Sequence, residues 1–392
     1  MIHSRPSDMY IPYGRQTISE EDIRTVEKVL KSDFLTQGEE VPGFENELAH
    51  KVGAKYATAC NSATSALHLA CLALGVAEGD IVWTTPITFV ASANCALYCK
   101  AEVDFVDIER KTGLIDVQAL SEKLIYAEHV GRLPKVLIPV HLCGTSCDMK
   151  EISRLAHKYG VKVLEDASHA IGGGYLGETV GSCAFSDITV FSFHPVKIIT
   201  TGEGGAAVTN CWHTAEKMRA LRSHGITKDP TKFETEVRGP WQYEQQSLGY
   251  NYRMTDIQAA LGRSQLKRLE SFIKKRHEII EYYQGRLSGT GVELLQVPSG
   301  STSAYHLAVI RMNECGNTEH LRVFNGLRQA GIGVQLHYEP VHTQPFYRRI
   351  GFERGDFQES ERYAEEAISL PIYPELNNSQ LCYIVDRLLD LV

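Results

Sequence analysis

From Asn61 onward the chain alternates helical segments with apolar strand-like ones, and this alternation restricts the possible folds more than any other feature. SATSALHLACLALG has helical periodicity, DIVWTTP holds a short strand, ITFVASANCALYCK returns to helix, and AEVDFVD is again a strand. PKVLIPVHLCG and VKVLEDASH add two apolar strands on either side of the helix DMKEISRLAHKYG. Strands that are apolar on both faces belong inside a covered sheet, and strand–helix–strand connections make neighbours parallel. The expectation is an α/β protein: a large domain whose mostly parallel mixed sheet is flanked by helices, followed by a smaller C-terminal α+β domain. The 392 residues suffice for both. Residues 1–30 would form an N-terminal arm and helix, 31–254 the large domain, 255–287 a long connecting helix and 288–392 the small domain. Ser19 and Asp22 make an S-x-x-D box that opens the first helix. Thr255 to Arg286 reads as one amphipathic helix, and AYHLAVIRM and GVQLHYEPVH read as C-terminal strands.

Several function classes fall away. A net charge of -8 argues against non-specific binding to nucleic acid or to an acidic membrane face. No apolar run approaches the ~20 residues of a membrane helix, and MIHSRPSDMYIPYGRQ lacks the apolar centre of a signal peptide. The ten cysteines lie mostly in apolar segments, as expected of a reduced, cytoplasmic protein. His141, Cys143 and Cys147 could be read as zinc ligands, but a fourth ligand is not evident and no metal is expected. Gly172, Gly174 and Gly177 satisfy G-x-G-x-x-G after a strand. The stretch GYLGETVGS, which begins at Gly174, reads as a hairpin, not as the helix whose N-terminus would hold a dinucleotide pyrophosphate.

The chemistry concentrates in FSFHPVKIITTGEGG, Phe191 to Gly205. Lys197 stands just past an apolar strand beside a Thr- and Gly-rich loop, a position that solubility explains poorly. A lysine amine condenses with an aldehyde to a Schiff base, the chemistry that pyridoxal phosphate uses. That cofactor also needs a carboxylate at its pyridine nitrogen, and Asp166 ends the strand VKVLED. Its phosphate needs donors at a helix N-terminus, and Asn61-Ser62-Ala63-Thr64-Ser65 precedes an apolar helix. Taken singly, each has an ordinary reading: a surface lysine, a strand-end carboxylate, an N-cap cluster. Their order along the chain is what favours the chemical one.

NSATSALHLA, TTPITFVASAN, EDASHA, SFHPVKIITTGEGG, RSHG and GYNYRMTDIQAALG, in this order, resemble the signature blocks of DegT/StrS-type sugar-nucleotide aminotransferases. These are pyridoxal-phosphate enzymes of fold type I, and the resemblance spans essentially the whole chain. It implies Lys197 as the Schiff-base lysine and Asp166 at the pyridine nitrogen. It further implies His169 on the ring hydroxyl, Phe89 stacked on the ring, and Ala63, Thr64, Ser65 and Ser192 around the phosphate. Asn251 would reach the same phosphate from the second subunit of a homodimer. Relatives that dehydrate sugars with pyridoxamine phosphate have histidine where Lys197 stands, and a purely regulatory protein would show a basic face. Within the family the finer likeness is to enzymes of pseudaminic acid biosynthesis. These aminate the 4-keto position of a UDP-linked 2-acetamido-2,6-dideoxy-hexos-4-ulose with L-glutamate as donor. By that similarity Tyr13, Asp33, Phe34, Leu35, Thr36, His337 and Tyr338 would border the sugar nucleotide. The long segment between Gly225 and Gly249 would reshape one side of the cleft.

Overall fold

Every residue of Ile81–Thr84, Ile188–Ser192 and Gly205–Thr209 is buried, as strands covered on both faces must be. The computed structural model describes residues 10–313 and 315–392. At its centre is a seven-stranded sheet of β1 (Tyr56–Cys60), β2 (Ile81–Thr84), β3 (Glu102–Phe105), β4 (Val136–Leu137), β5 (Lys162–Asp166), β6 (Ile188–Ser192) and β7 (Gly205–Thr209), in the order β1-β7-β6-β5-β4-β2-β3. The run from β3 to β6 is parallel. β7 lies antiparallel to both β6 and β1. This is the mostly parallel mixed sheet that the apolar strands predict.

Side chains along one strand serve opposite layers. Ile188 and Val190 pack with Leu67 and Ala70 of α3 (Ala63–Ala73) and Ala96 of α4 (Ala91–Tyr98). Phe191 faces the other way, onto Phe44 and Leu48 of α2 (Glu40–Val52) and Leu266. A second, antiparallel sheet of Val292–Leu294, Ala308–Met312 and Ala367–Leu370 carries its own apolar cluster under the helices Gly316–Gln329 and Asn378–Leu389. The helix α1 (Glu20–Leu30) begins with the Ser19/Asp22 capping box. Among the described residues no helix is long and apolar enough to cross a membrane.

Three sequence expectations need correction. The run from Thr255 is two helices, Asp256–Leu266 and Leu269–Leu287. The chain tightens at Arg268, whose N–H bonds the Gln265 carbonyl at 3.0 Å. The Arg268 guanidinium and the Gln265 amide both reach the buried Asp22 carboxylate of α1, which pins the chain at the break. GVQLHYEPVH is not a regular strand; within it only the isolated bridge Gln335 to Ser369 forms, and Ile332 just before it bridges Ile11. Its His337 and Tyr338 turn into a cavity instead. AYHLAVIRM becomes strand only from Ala308, because Tyr305 has φ 46° and His306 lines the same cavity. The G-x-G-x-x-G segment is a hairpin, as its glycines imply: Gly174–Tyr175 pairs with Glu178–Thr179 around Leu176 and Gly177, both at positive φ. In the Gly225–Gly249 segment Ile226–Thr227 pairs antiparallel with Glu244–Gln245, and Trp241 in the intervening loop is exposed.

Candidate active site

The antiparallel β7 gathers three chain segments at one edge of the sheet. Gly205, its first residue, lies opposite Cys60 of β1 and opposite Ser192 of β6. It also abuts the turn that enters α3: a Cβ on Gly205 would fall 2.3 Å from the Ala63 nitrogen. Only glycine permits that approach. Ser62 caps α3, its Oγ accepting the Ser65 N–H at 3.1 Å, while Ser65 Oγ donates to Asn61 Oδ1 at 2.7 Å. The N–H groups of Ala63 and Thr64, first in the helix, have no carbonyl partner within it, and both residues line a cavity of about 410 Å³.

That cavity lies beyond the carboxyl ends of the parallel strands, where α/β sheets place their ligands. Asp166 ends β5, and Lys197 sits in the turn after β6. The Asp166 carboxylate is held from two sides: Oδ2 accepts from Ser92 Oγ at 2.5 Å and Oδ1 from the Ser168 N–H at 3.0 Å. Thr88 Oγ1 lies 2.7 Å from Ser92 Oγ and extends this support. Burial brings the Lys197 amine down to about 8, and Asp166 opposes part of that shift. Three histidines stand around it. Burial, and then the Lys197 charge, depress His169 well below the usual imidazole range and take His337 to about 3. His306 is depressed by burial and then by His169 and Lys197. Lys197 is therefore a cation amid neutral imidazoles, with Asp166 as counter-charge. Tyr338 Oη lies 3.1 Å from His169 Nε2 and its ring 6.3 Å from that of Phe89.

The structure brings together Ala63, Thr64, Phe89, Asp166, His169, Ser192, Lys197, Tyr13, His337 and Tyr338 around one cavity. Six expected residues lie elsewhere. Ser65 is spent in the α3 cap, so its hydroxyl and N–H already have partners. Asp33, Phe34, Leu35 and Thr36 lie outside the cavity, by the N-terminus of the helix Asp256–Leu266, where the Leu35 carbonyl accepts the Asp256 N–H at 3.0 Å. Asn251 is exposed and bridges Ser223. Ser92, Thr88 and His306 were not anticipated. The first two stand four residues apart in TTPITFVASAN, a spacing that could have signalled one helical face. His306 was hidden in an apparent strand. Among the described residues no group of three His, Cys, Asp or Glu is placed to hold a metal ion.

The donor set fits pyridoxal phosphate. Lys197 supplies an amine for the aldehyde, Asp166 a carboxylate for the ring nitrogen, and the α3 N-terminus with Ser192 donors for the phosphate. His306 Nδ1, buried without a hydrogen-bond partner, adds a polar atom that asks for a ligand. Comparison with known proteins points the same way. The sequence profile of the DegT/DnrJ/EryC1/StrS aminotransferase family matches residues 16–389. A UDP-4-amino-4,6-dideoxy-N-acetyl-beta-L-altrosamine transaminase of Campylobacter jejuni is 39% identical over 384 residues, covering 97% of each chain. Helicobacter pylori PseC, an aminotransferase involved in the biosynthesis of pseudoaminic acid, superposes with a TM-score of 0.89 at 34% identity, over 98% of this chain and 99% of that one. The putative sugar aminotransferase Spr1654 of Streptococcus pneumoniae, in its PMP-form, gives a TM-score of 0.90 at 28% identity over 97% of this chain and 98% of its own.

Proposed function

The chain belongs to the DegT/DnrJ/EryC1/StrS aminotransferase family and is a pyridoxal-phosphate-dependent sugar aminotransferase; from that premise we propose that it transfers the amino group of L-glutamate to the 4-keto carbon of a UDP-linked 2-acetamido-2,6-dideoxy-hexos-4-ulose. The product would be a 4-amino sugar nucleotide for pseudaminic acid and the surface glycans built from it. The observation that carries the chemistry is the pairing of Lys197 and Asp166 across one cavity. Their neighbourhood lowers the amine to about 8, so a useful fraction is neutral near physiological pH.

Pyridoxal phosphate, when bound, supplies an aldehyde for amines and a ring that accepts electrons. The rest is done by the chain. Lys197 Nζ would hold the cofactor until an incoming amine displaced it. The freed amine would take the proton from Cα of glutamate and pass it to the bound cofactor, then in the second half-reaction carry one from the cofactor to C4 of the sugar. Asp166, fixed by Ser92 and Ser168, would face the ring nitrogen with its carboxylate. His169, His306 and His337 stay neutral, so they offer hydrogen bonds without competing with Lys197 for the role of cation. Phe89, half exposed at the cavity, would cover the ring. Tyr13, His337 and Tyr338, which line the same cavity, would border the sugar.

Asn251 and the Asp33–Thr36 loop would serve the site of a second copy. Asn251 precedes the helix Asp256–Leu266 in sequence and the loop bonds its first residue through the Leu35 carbonyl; a nearby pocket is lined by Gln37, Gly38, Ser223 and Arg253. A dianionic phosphate in a protein of net charge -8 gains from each added donor. The substrate is tested by incubating the enzyme and glutamate with a panel of UDP- and dTDP-linked 3- and 4-keto sugars. Mass and product NMR should show amination at C4 of the UDP-linked N-acetyl sugar. Preference for dTDP-linked 3-keto sugars would overturn the substrate while leaving the reaction class standing.

A further inference from the structure

His141, Cys143 and Cys147, the trio that could be read as metal ligands, are joined in another way. His141 Nε2 lies 2.6 Å from Glu165 Oε2, and both residues are buried. The other Glu165 oxygen accepts from the hydroxyls of Ser186 and Thr189. Burial works against a charged Glu165, but the bonds from His141, Ser186 and Thr189 outweigh it and keep the carboxyl below its usual range. On the far side of the ring, the Cys147 N–H donates to His141 Nδ1 at 3.2 Å. Burial works against charge on His141, and Cys147 and Glu165 outweigh it, pushing the ring up to about 10; the contact geometry decides otherwise, because a second ring proton would point straight at the Cys147 N–H. The ring is accordingly the neutral Nε2–H tautomer, donating to Glu165 and accepting from Cys147.

These bonds anchor both ends of a tight turn. The His141 N–H bonds the Asp166 carbonyl at 3.0 Å, which ties the turn to the strand end that carries the catalytic carboxylate. Within it Cys143 has φ 59°, an uncommon value for a residue with a side chain. Gly144, at φ 98°, sits so close to the Tyr305 nitrogen that a Cβ would come within 2.9 Å. The left-handed Cys143 directs its N–H to His169 Nδ1 at 3.3 Å. A backbone N–H can only donate, so His169 Nδ1 is the acceptor and the ring proton is on Nε2, the atom 3.1 Å from Tyr338 Oη.

We infer that His141, oriented by Glu165, is a positioning residue that holds the turn to Cys147 and thereby fixes His169 as a neutral Nε2–H donor facing the cavity. Glu165, His141 and Cys143 touch neither substrate nor cofactor in this scheme; they decide what His169 offers. The device matters because His169 has two tautomers of similar intrinsic stability, and only one presents a donor at Nε2, beside Tyr338 and the cavity. It rests on pyridoxal phosphate use, not on the identity of the sugar.

The test is ¹⁵N NMR of histidine-labelled, cofactor-free protein, with the His169 signals assigned from H169N. Wild type should show His169 as the Nε2–H tautomer throughout pH 6.5 to 8.5, a window chosen about the ordinary imidazole value. Two variants both strip Glu165 of its His141 partner but differ at Nδ1. H141N places its amide oxygen where Nδ1 was and still accepts the Cys147 N–H, whereas H141L cannot. Both should lose thermal stability. Only H141L should mix the His169 tautomers and weaken the binding of added pyridoxal phosphate about tenfold, the scale of outer-shell partners at ligating histidines. H141N should stay within about twofold of wild type in affinity on the same scale. Equal effects from both variants, or none on His169 from H141L, would overturn the inference. So would a wild-type His169 found as Nδ1–H, a result that holds even if H141L fails to fold. None of these outcomes bears on which sugar is aminated.

Discussion

Lys197 is held where its charge is disfavoured. Burial takes the amine from 10.5 to about 8, with Asp166 opposing the shift. The unfolded chain keeps that proton to higher pH, so between about 8 and 10.5 the unfolded state binds more protons and stability rises with pH in that window. Below it the partly buried ammonium is a standing cost of the cofactor-free fold. The same shift has a kinetic consequence, since only the neutral amine attacks an aldehyde. Capture of pyridoxal phosphate by the cofactor-free enzyme, monitored by absorbance, should accelerate with pH around a midpoint near 8. A midpoint near the ordinary 10.5 would show that the cavity does not depress the amine.

At the scale of elements, the meeting of β1, β7, β6 and α3 builds the phosphate end of the site. Gly205 is its narrowest point, with Ala63 N and the Ser62 carbonyl carbon 2.3 and 2.5 Å from where a Cβ would stand. Gly205→Ala should push α3 off β7 and cost about 1–3 kcal/mol by overpacking, seen as a lower Tm with weakened cofactor retention. Gly285→Ala is the contrast. It lies in the helix Leu269–Leu287 with nothing within 4 Å of its Cβ position, and should stabilise by up to about 1 kcal/mol. Retained cofactor binding in Gly205→Ala would contradict the packing argument. These elements also show what the sequence makes legible. Strands buried on both faces, such as IVWT within DIVWTTP, announce a covered sheet through composition alone. Lys197 and Asp166 could be read because each stands at or just past the end of such a strand, and the hairpin at Gly174 because its glycines are spaced for a turn. The break at Arg268 was hidden, since its cause is Asp22, distant in sequence and carried by another helix. His306, Tyr305 and the 333–342 segment misled for a related reason: apolar periodicity continues where tertiary packing turns the backbone into the cavity. Ser92 was missed because a helix-borne serine gains its role only from the carboxylate it meets.

For the whole molecule, the question is what completes the cavity. Asn251 and Asp33–Thr36 do not line their own chain's cavity, and the proposed homodimer would use them in the partner's site. Mixing Lys197→Ala with Asn251→Ala subunits separates the possibilities. In a shared site, each mixed dimer has one cavity with both lesions and one with neither, so activity should reappear as subunits exchange. Verified exchange without recovery, or an active monomer, would place Asn251 outside the reaction.

Both the cofactor's retention and the proposed proton transfers depend on Lys197. Borohydride reduction of the enzyme loaded with pyridoxal phosphate, then proteolysis and mass spectrometry, tests this directly. The account predicts a single phosphopyridoxyl adduct on the peptide containing Lys197. An adduct on another lysine, or no adduct on a protein that binds the cofactor, would contradict it.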